Sequence, residues 1–237
     1  MFLSNFLLED ELEKENQNQR YQTADFAKLW MRTENQSVLG VIGANHQRIR
    51  IAFTSIEQNP EKLWEYRVVG KSKVKNNICD FVGVIRVDSV VELKALHYGV
   101  DDMYKDSSIV NQGVVFATYN FDESKEQNHS GTFSGKLMTK WYTTSHGKLK
   151  YDKIQWISDS YMNNAFIGSW TQYDSETSKV CNWGDYRIPL SAQDFDIGAG
   201  EFSPSEKYYK FGWEEYQNAW LYEDEDAQKR ELAEWWK

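Results

Sequence analysis

Proline and cysteine are scarce in this 237-residue chain, with three of the first and two of the second. So few prolines exclude a proline-rich linker or a polyproline recognition segment. Two cysteines, Cys79 and Cys181, far apart and in strand-like aromatic surroundings, are no disulfide framework for a chain of this size, and we expect both to be reduced and packed. No window approaches the roughly 18 to 20 consecutive apolar residues that a membrane-spanning helix needs. The opening MFLSNFLLEDELEKE lacks a basic n-region, and acids arrive at Glu9 and Asp10 where a signal peptide is still apolar, so the expectation is a cytoplasmic protein. The four histidines, His46, His97, His129 and His146, have no metal-ligand spacing and read as solvated turn residues; neither a metal nor a cofactor is expected. Nucleophile-elbow, phosphate-loop and dinucleotide signatures are also missing.

Basic charge is in deficit. The 36 acids outnumber 27 bases, and the excess is concentrated at the ends: net −3 over residues 1–34 (seven acids, four bases) and net −5 over 201–237 (ten acids, five bases). No basic stripe is available to neutralise a phosphate backbone, which argues against nucleic acid and permits a basic protein partner.

Aromatic residues are abundant, at 15% with ten tryptophans. They occupy three regions, taken together as one domain over residues 1–237. Residues 1–34 read as helical: Phe2/Phe6, Leu3/Leu7 and Leu8/Leu12 recur four apart, and a second short helix starting at Thr23 as N-cap would bury Phe26, Leu29 and Trp30. From 35 to 190 the period becomes two. Strands are predicted at 38–42, 48–56, 63–74, 78–93, 114–121, 131–142, 149–157, 165–173 and 179–188, without a helix-sized connection between them, so pairing should be antiparallel. A long meander leaves two exposed edges unless it closes on itself, which favours an up-and-down β-barrel of about eight to ten strands. Gly83, Gly135 and Gly168 fall inside strand patterns, as bend points or places of close approach. The acidic loop 95–111 is a candidate cover for a barrel mouth. Residues 191–237 read as a loop followed by C-terminal helices, the last running from Asp224 to Lys237.

Phe166-Ile167-Gly168-Ser169-Trp170 contains the tripeptide G-x-W. With the strand meander it resembles the lipocalin and related calycin-type barrels, although here the tripeptide falls near the end of the strand region and no T-D-Y element follows. The resemblance implies a mainly β, lipocalin-like barrel that holds a small ligand, with N- and C-terminal α-helices added; it assigns no binding residues.

The densest polar stretch is 179–204, KVCNWGDYRIPLSAQDFDIGAGEFSP, where glycine and proline fix the turns between its charged residues. It reads as a ligand site or as a structural clasp. In the first reading Trp183, Tyr186, Trp170 and Trp141 wall a pocket for an apolar, aromatic or sugar-like small molecule, and Asp185 and Arg187, two apart on a strand, form a same-face orienting pair. The protein would then be a non-catalytic binding protein. A second reading makes the acidic C-terminus an interaction module of the inhibitor or immunity type, with Trp220, Tyr222, Trp235 and Trp236 as anchors for a basic partner. A third is a glycan-active hydrolase in which Asp194 and Asp196 point the same way and are joined by Asp185 or Glu201.

Overall fold

Alternating apolar and polar residues become ten strands in the computed structural model, which describes residues 9–31, 34, 37–159 and 161–237. They are β1 (Val38–Ile42), β2 (Gln47–Arg48), β3 (Arg50–Asn59), β4 (Lys62–Val74), β5 (Asn77–Glu92), β6 (Ile109–Glu123), β7 (Gly131–Thr144), β8 (Leu149–Tyr151), β9 (Asn163–Gln172) and β10 (Ser178–Asp185). The strand order is β2-β1-β10-β9-β7-β6-β5-β4-β3, with β8 on β7, and every pairing is antiparallel. The sheet curls into a half-barrel. Its concave face carries one side of each strand, and Phe53, Phe81, Phe121, Phe133, Phe166 and Trp183 pack there into a single core.

The curl has a local cause. Tyr119, Gly135, Gly168 and Cys181 are register partners across β6, β7, β9 and β10. The two adjacent glycines leave room for the Tyr119 ring: a Cβ at either position would collide with a carbonyl of the neighbouring strand and sit 2.7 to 2.8 Å from the Tyr119 hydroxyl. Both inward glycines are places of close approach, as their position in the strand patterns predicts.

Because consecutive strands run antiparallel, their connections gather at two ends. The turns 43–46, 75–76, 124–130 and 173–177 lie at one end, and 60–61, 93–108 and 145–162 at the other. The second end is plugged by the helix α1 (Ala27–Trp30), whose first amide is held by the Asp25 carboxylate at 3.0 Å. Trp30 Nε1 donates to Thr139 Oγ1 at 2.9 Å, Asn164 Nδ2 donates to the Leu29 carbonyl at 2.9 Å, and the Phe26 amide donates to the Tyr66 hydroxyl at 3.2 Å. Phe26, Leu29 and Trp30 are all buried, each contributing about 1.5 to 3 kcal/mol.

The C-terminal residues lie outside the half-barrel. A 3-10 turn (Glu206–Phe211), α2 (Glu214–Trp220) and α3 (Glu225–Leu232) follow the loop 186–205. Phe195, Phe202, Trp213 and Ile188 pack on Leu39 and Val41, the outward-facing residues of β1, as a second core. Asp224 caps α3, its carboxylate accepting from the Ala227 amide at 2.6 Å.

Several sequence expectations are corrected. Residues 1–8 of the first predicted helix lie outside the described residues; Glu9–Glu11 form a 3-10 turn and Leu12 bridges Leu93, so the four-residue apolar spacing there does not continue as helix. The second helix begins at Ala27 rather than after Thr23, because Asp25 supplies the amide acceptor. The strand predicted over 149–157 ends at Tyr151, where the carboxylate of Asp152 turns back to the Ile154 amide. The last strand ends at Asp185, since Tyr186 takes a left-handed φ of 69°. Helix α3 ends at Leu232, short of the predicted Lys237. Loop 95–111 belongs to the plugged end, where Gln112 binds both backbone groups of His97.

Candidate functional site

The end opposite α1 is open. A cavity of about 550 Å³ enters it between the turns 43–46, 75–76 and 124–130 and the paired ends of β9 and β10 at Gln172 and Lys179. Its apolar wall is Ile42, Ile49, Val74, Phe133 and Trp170, contributed by β1, the link between β2 and β3, β4, β7 and β9. Strand alternation places these side chains: Trp170 is on the inward parity of β9 with Phe166 and Gly168, and Phe133 is on that of β7 with Leu137.

At the base of the cavity stands the carboxylate of Glu123, 5% exposed. One oxygen accepts from the Ser72 hydroxyl; the other accepts from the Gly131 amide and from Trp170 Nε1, both at 2.8 Å. Burial pushes the Glu123 carboxyl above its ordinary value, and the bonds from Ser72, Trp170 and Gly131 draw it part of the way back. The Trp170 indole is tied by its one N–H to a carboxylate that Ser72 and the Gly131 amide also hold, which fixes the orientation of the ring in the cavity wall. Lys75, His129 and Lys179 stand at the rim, exposed, with the Lys179 ammonium 5.4 Å from the centre of the Trp170 ring.

The predicted site residues are distributed over three places. Trp170 lines the mouth. Trp183 and Trp141 are core residues, 2% and 0% exposed: Trp183 stacks on Phe166 at 4.6 Å, and Trp141 meets Tyr21 edge-on at 4.7 Å beside the plug. The cavity that Trp183 shares with Asp185 is only about 10 Å³, because Phe53, Phe166 and Trp30 crowd it, and that is too small for a ligand. Asp185 and Arg187 do not form the expected pair. Asp185 is buried at the plugged end, accepting from the Tyr151 hydroxyl at 2.7 Å and Asn164 Nδ2 at 2.8 Å. The left-handed turn at Tyr186 sends Arg187 outward, where its guanidinium pairs with Asp196 at 2.6 Å and caps the carbonyls of Gly198, Ala199 and Gly200.

The predicted carboxylate cluster is also dispersed. Asp196 is turned inward and accepts from Arg187 and from the Gly198 and Ser203 amides, whereas Asp194 is exposed and pairs with Lys207. Phe195 between them is fully buried, and the amides of Phe195 and Asp196 both donate to the Ala192 carbonyl, so the segment is a turn in which period two does not hold. Tyr186, Arg187 and Glu201 do share an outer groove of about 550 Å³ with Trp156 and Tyr216. Of the C-terminal anchors, Trp220 and Tyr222 are exposed, while Trp235 is half-buried beneath Arg50 at 5.7 Å and meets Trp236 edge-on.

His46 departs from the solvated-turn expectation: its ring stacks on Phe195 at 4.6 Å and its Nδ1 is buried. Both cysteines are buried and reduced, and burial, with Glu123 and Asp80 adding, pushes the Cys79 thiol up to about 11. Among the described residues no cluster of histidine, cysteine, aspartate and glutamate could hold a metal ion, and no helix is long and apolar enough to cross a membrane.

No protein-family model matches this chain, and neither a curated protein nor a solved structure matches it.

Glu123 and its neighbours went unnoticed in the sequence, yet one signal was present. Val115, Ala117, Tyr119 and Phe121 alternate inward along β6, and Glu123 continues that parity as an acid in a buried column. A strand predicted to stop at 121 conceals it.

Proposed function

We propose that this chain is a small-molecule binding protein and that the open mouth beside Trp170 is its site. The supporting observation is the floor: a buried carboxylate with three donors fixes an indole face in a cavity whose size and apolar lining suit a small ligand. Ligand binding at a barrel mouth is retained from the sequence, and the site moves from the Trp183 and Asp185 region, which is filled, to the opposite end.

We read the curled sheet as effectively closed, in the manner of a lipocalin-like barrel. β2 and β3, the two ends of the strand order, are separated by Ile49 alone, whose amide donates to the Gly40 carbonyl at 3.1 Å. Binding fits better than turnover, since Glu123 is the one acid of the cavity lining and its oxygens are committed to protein donors.

The test is native mass spectrometry of gently purified protein beside Val74→Trp, which fills the mouth from a half-buried wall position. Added mass of a few hundred daltons on the wild type (about the scale such a cavity admits) that is absent from Val74→Trp is the expected result. A ligand retained equally by both forms would place binding elsewhere.

A further inference from the structure

The charge of the mouth is inverted relative to the chain. Acids exceed lysines and arginines by nine overall, yet the cavity lining holds Lys75 and Lys179 against one acid, Glu123, which is buried beneath three donors. Among the described residues, neither Lys75 nor Lys179 has a carboxylate within ion-pair distance. Lys75 comes from the turn after β4 and Lys179 from the first residues of β10, and both stand above an apolar wall. Lysine stems at such a boundary cover apolar surface and leave their charged heads at the rim.

Resting on the mouth as the binding site, we infer that its ligand is an amphipathic anion. The apolar body lies on Trp170, Phe133, Ile42 and Val74, and a carboxylate or similar head meets Lys75 and Lys179 at the entrance. A cationic head is disfavoured there by two like charges, and a neutral one forgoes them.

Calorimetric titration with decanoate, 1-decanol and decylammonium, below their aggregation concentrations at neutral pH and low salt, tests this with one tail and three heads. Decanoate is expected to bind about tenfold more tightly than decanol, the combined value of two solvent-edge charge contacts, with decylammonium weakest. In the double variant Lys75→Met/Lys179→Met the decanoate preference should fall to near unity while decanol affinity is kept, and 0.5 M salt should act in the same direction. Equal binding of all three heads, blocked by Val74→Trp, would overturn the anion inference and leave the mouth as a binding site. Tightest binding of decylammonium would overturn it in favour of Glu123 as the recognition group. Failure of all three to bind would remove the mouth reading and this inference with it.

Discussion

Glu231→Ala should release the C-terminal layer from the half-barrel. Arg48 of β2 donates from both terminal nitrogens to the two Glu231 oxygens, at 2.7 and 2.6 Å, and the side chains are 8% and 2% exposed. The guanidinium sits 5.1 Å from the Trp213 ring and 5.3 Å from Tyr216. Removing the carboxylate leaves that charge buried without its partner, a loss of about 3 to 5 kcal/mol, whereas replacing both members by apolar groups is often close to neutral. Glu231→Ala should therefore lower the urea midpoint strongly, and Arg48→Met/Glu231→Leu should recover most of the loss. The difference between the two forms should be about 2 to 4 kcal/mol.

The loss need not be global. Glu231 lies in α3, and the C-terminal layer also holds the turn after β1: Gln47 Nε2 donates to the Phe211 carbonyl at 2.6 Å and Trp213 Nε1 to the His46 carbonyl at 2.8 Å. Amide exchange should then accelerate in α3 and in the turn 43–46, which forms one wall of the mouth, while β6 and β7 stay protected. Acid should reproduce the effect. Burial alone would raise the Glu231 carboxyl, but the Arg48 bond and the charges of Arg48, Arg50 and Lys73 outweigh it and hold the group below its ordinary value. A depressed carboxyl contributes stability that is present above the ordinary carboxylate range and lost as pH falls through the folded-state value. A cost for Glu231→Ala under about 1 kcal/mol, the scale of an exposed pair, would refute the reasoning.

Two further outcomes are expected. Gly168→Ala should destabilise by about 1 to 3 kcal/mol or more, because the new methyl meets the Ser134 carbonyl and the Tyr119 hydroxyl; a thermal midpoint equal to wild type would mean that the sheet does not pinch there. Glu123 has the opposite linkage to Glu231: its carboxyl is raised, so its contribution is fully present below the ordinary carboxylate value and lost as pH rises through the elevated one. Glu123→Gln should remove that dependence, so that wild type gains stability relative to the variant as pH falls, measured by urea melts across the range; parallel curves would contradict a buried, raised carboxyl.

Strand positions were legible in the sequence because period two survives wherever one face is buried: eight of the nine predicted strands correspond to observed ones within a few residues, and the ninth, at 149–157, fails where Asp152 and Asn163 bind the chain into turns. Side-chain direction at strand ends was not legible. Asp185 and Arg187 are two apart, and period two assigns them one face, but a left-handed residue between them reverses the rule. Asp194 and Asp196 fail likewise, because the chain turns there, with the Phe195 and Asp196 amides on the Ala192 carbonyl, rather than following strand pleating. Aromatic abundance marked a pocket in the sequence, yet Trp30, Trp141, Trp183 and Trp213 are fully buried in the packed cores.

The two ends of the half-barrel differ for a reason that lies in which connections are long. Long segments before β1, between β5 and β6 and between β7 and β9 converge on one end, where Trp30, Asn164, Thr139 and Tyr66 tie a helix into the opening. Turns of two to seven residues serve the other end, and none is long enough to cover it. A polar floor is then required, because inward positions near water cannot all be apolar without exposing a patch. Glu123 meets that requirement by taking three donors, and the same bonds orient Trp170. The opening thus follows from topology, and its chemistry from one acid and two lysines placed where the strands end.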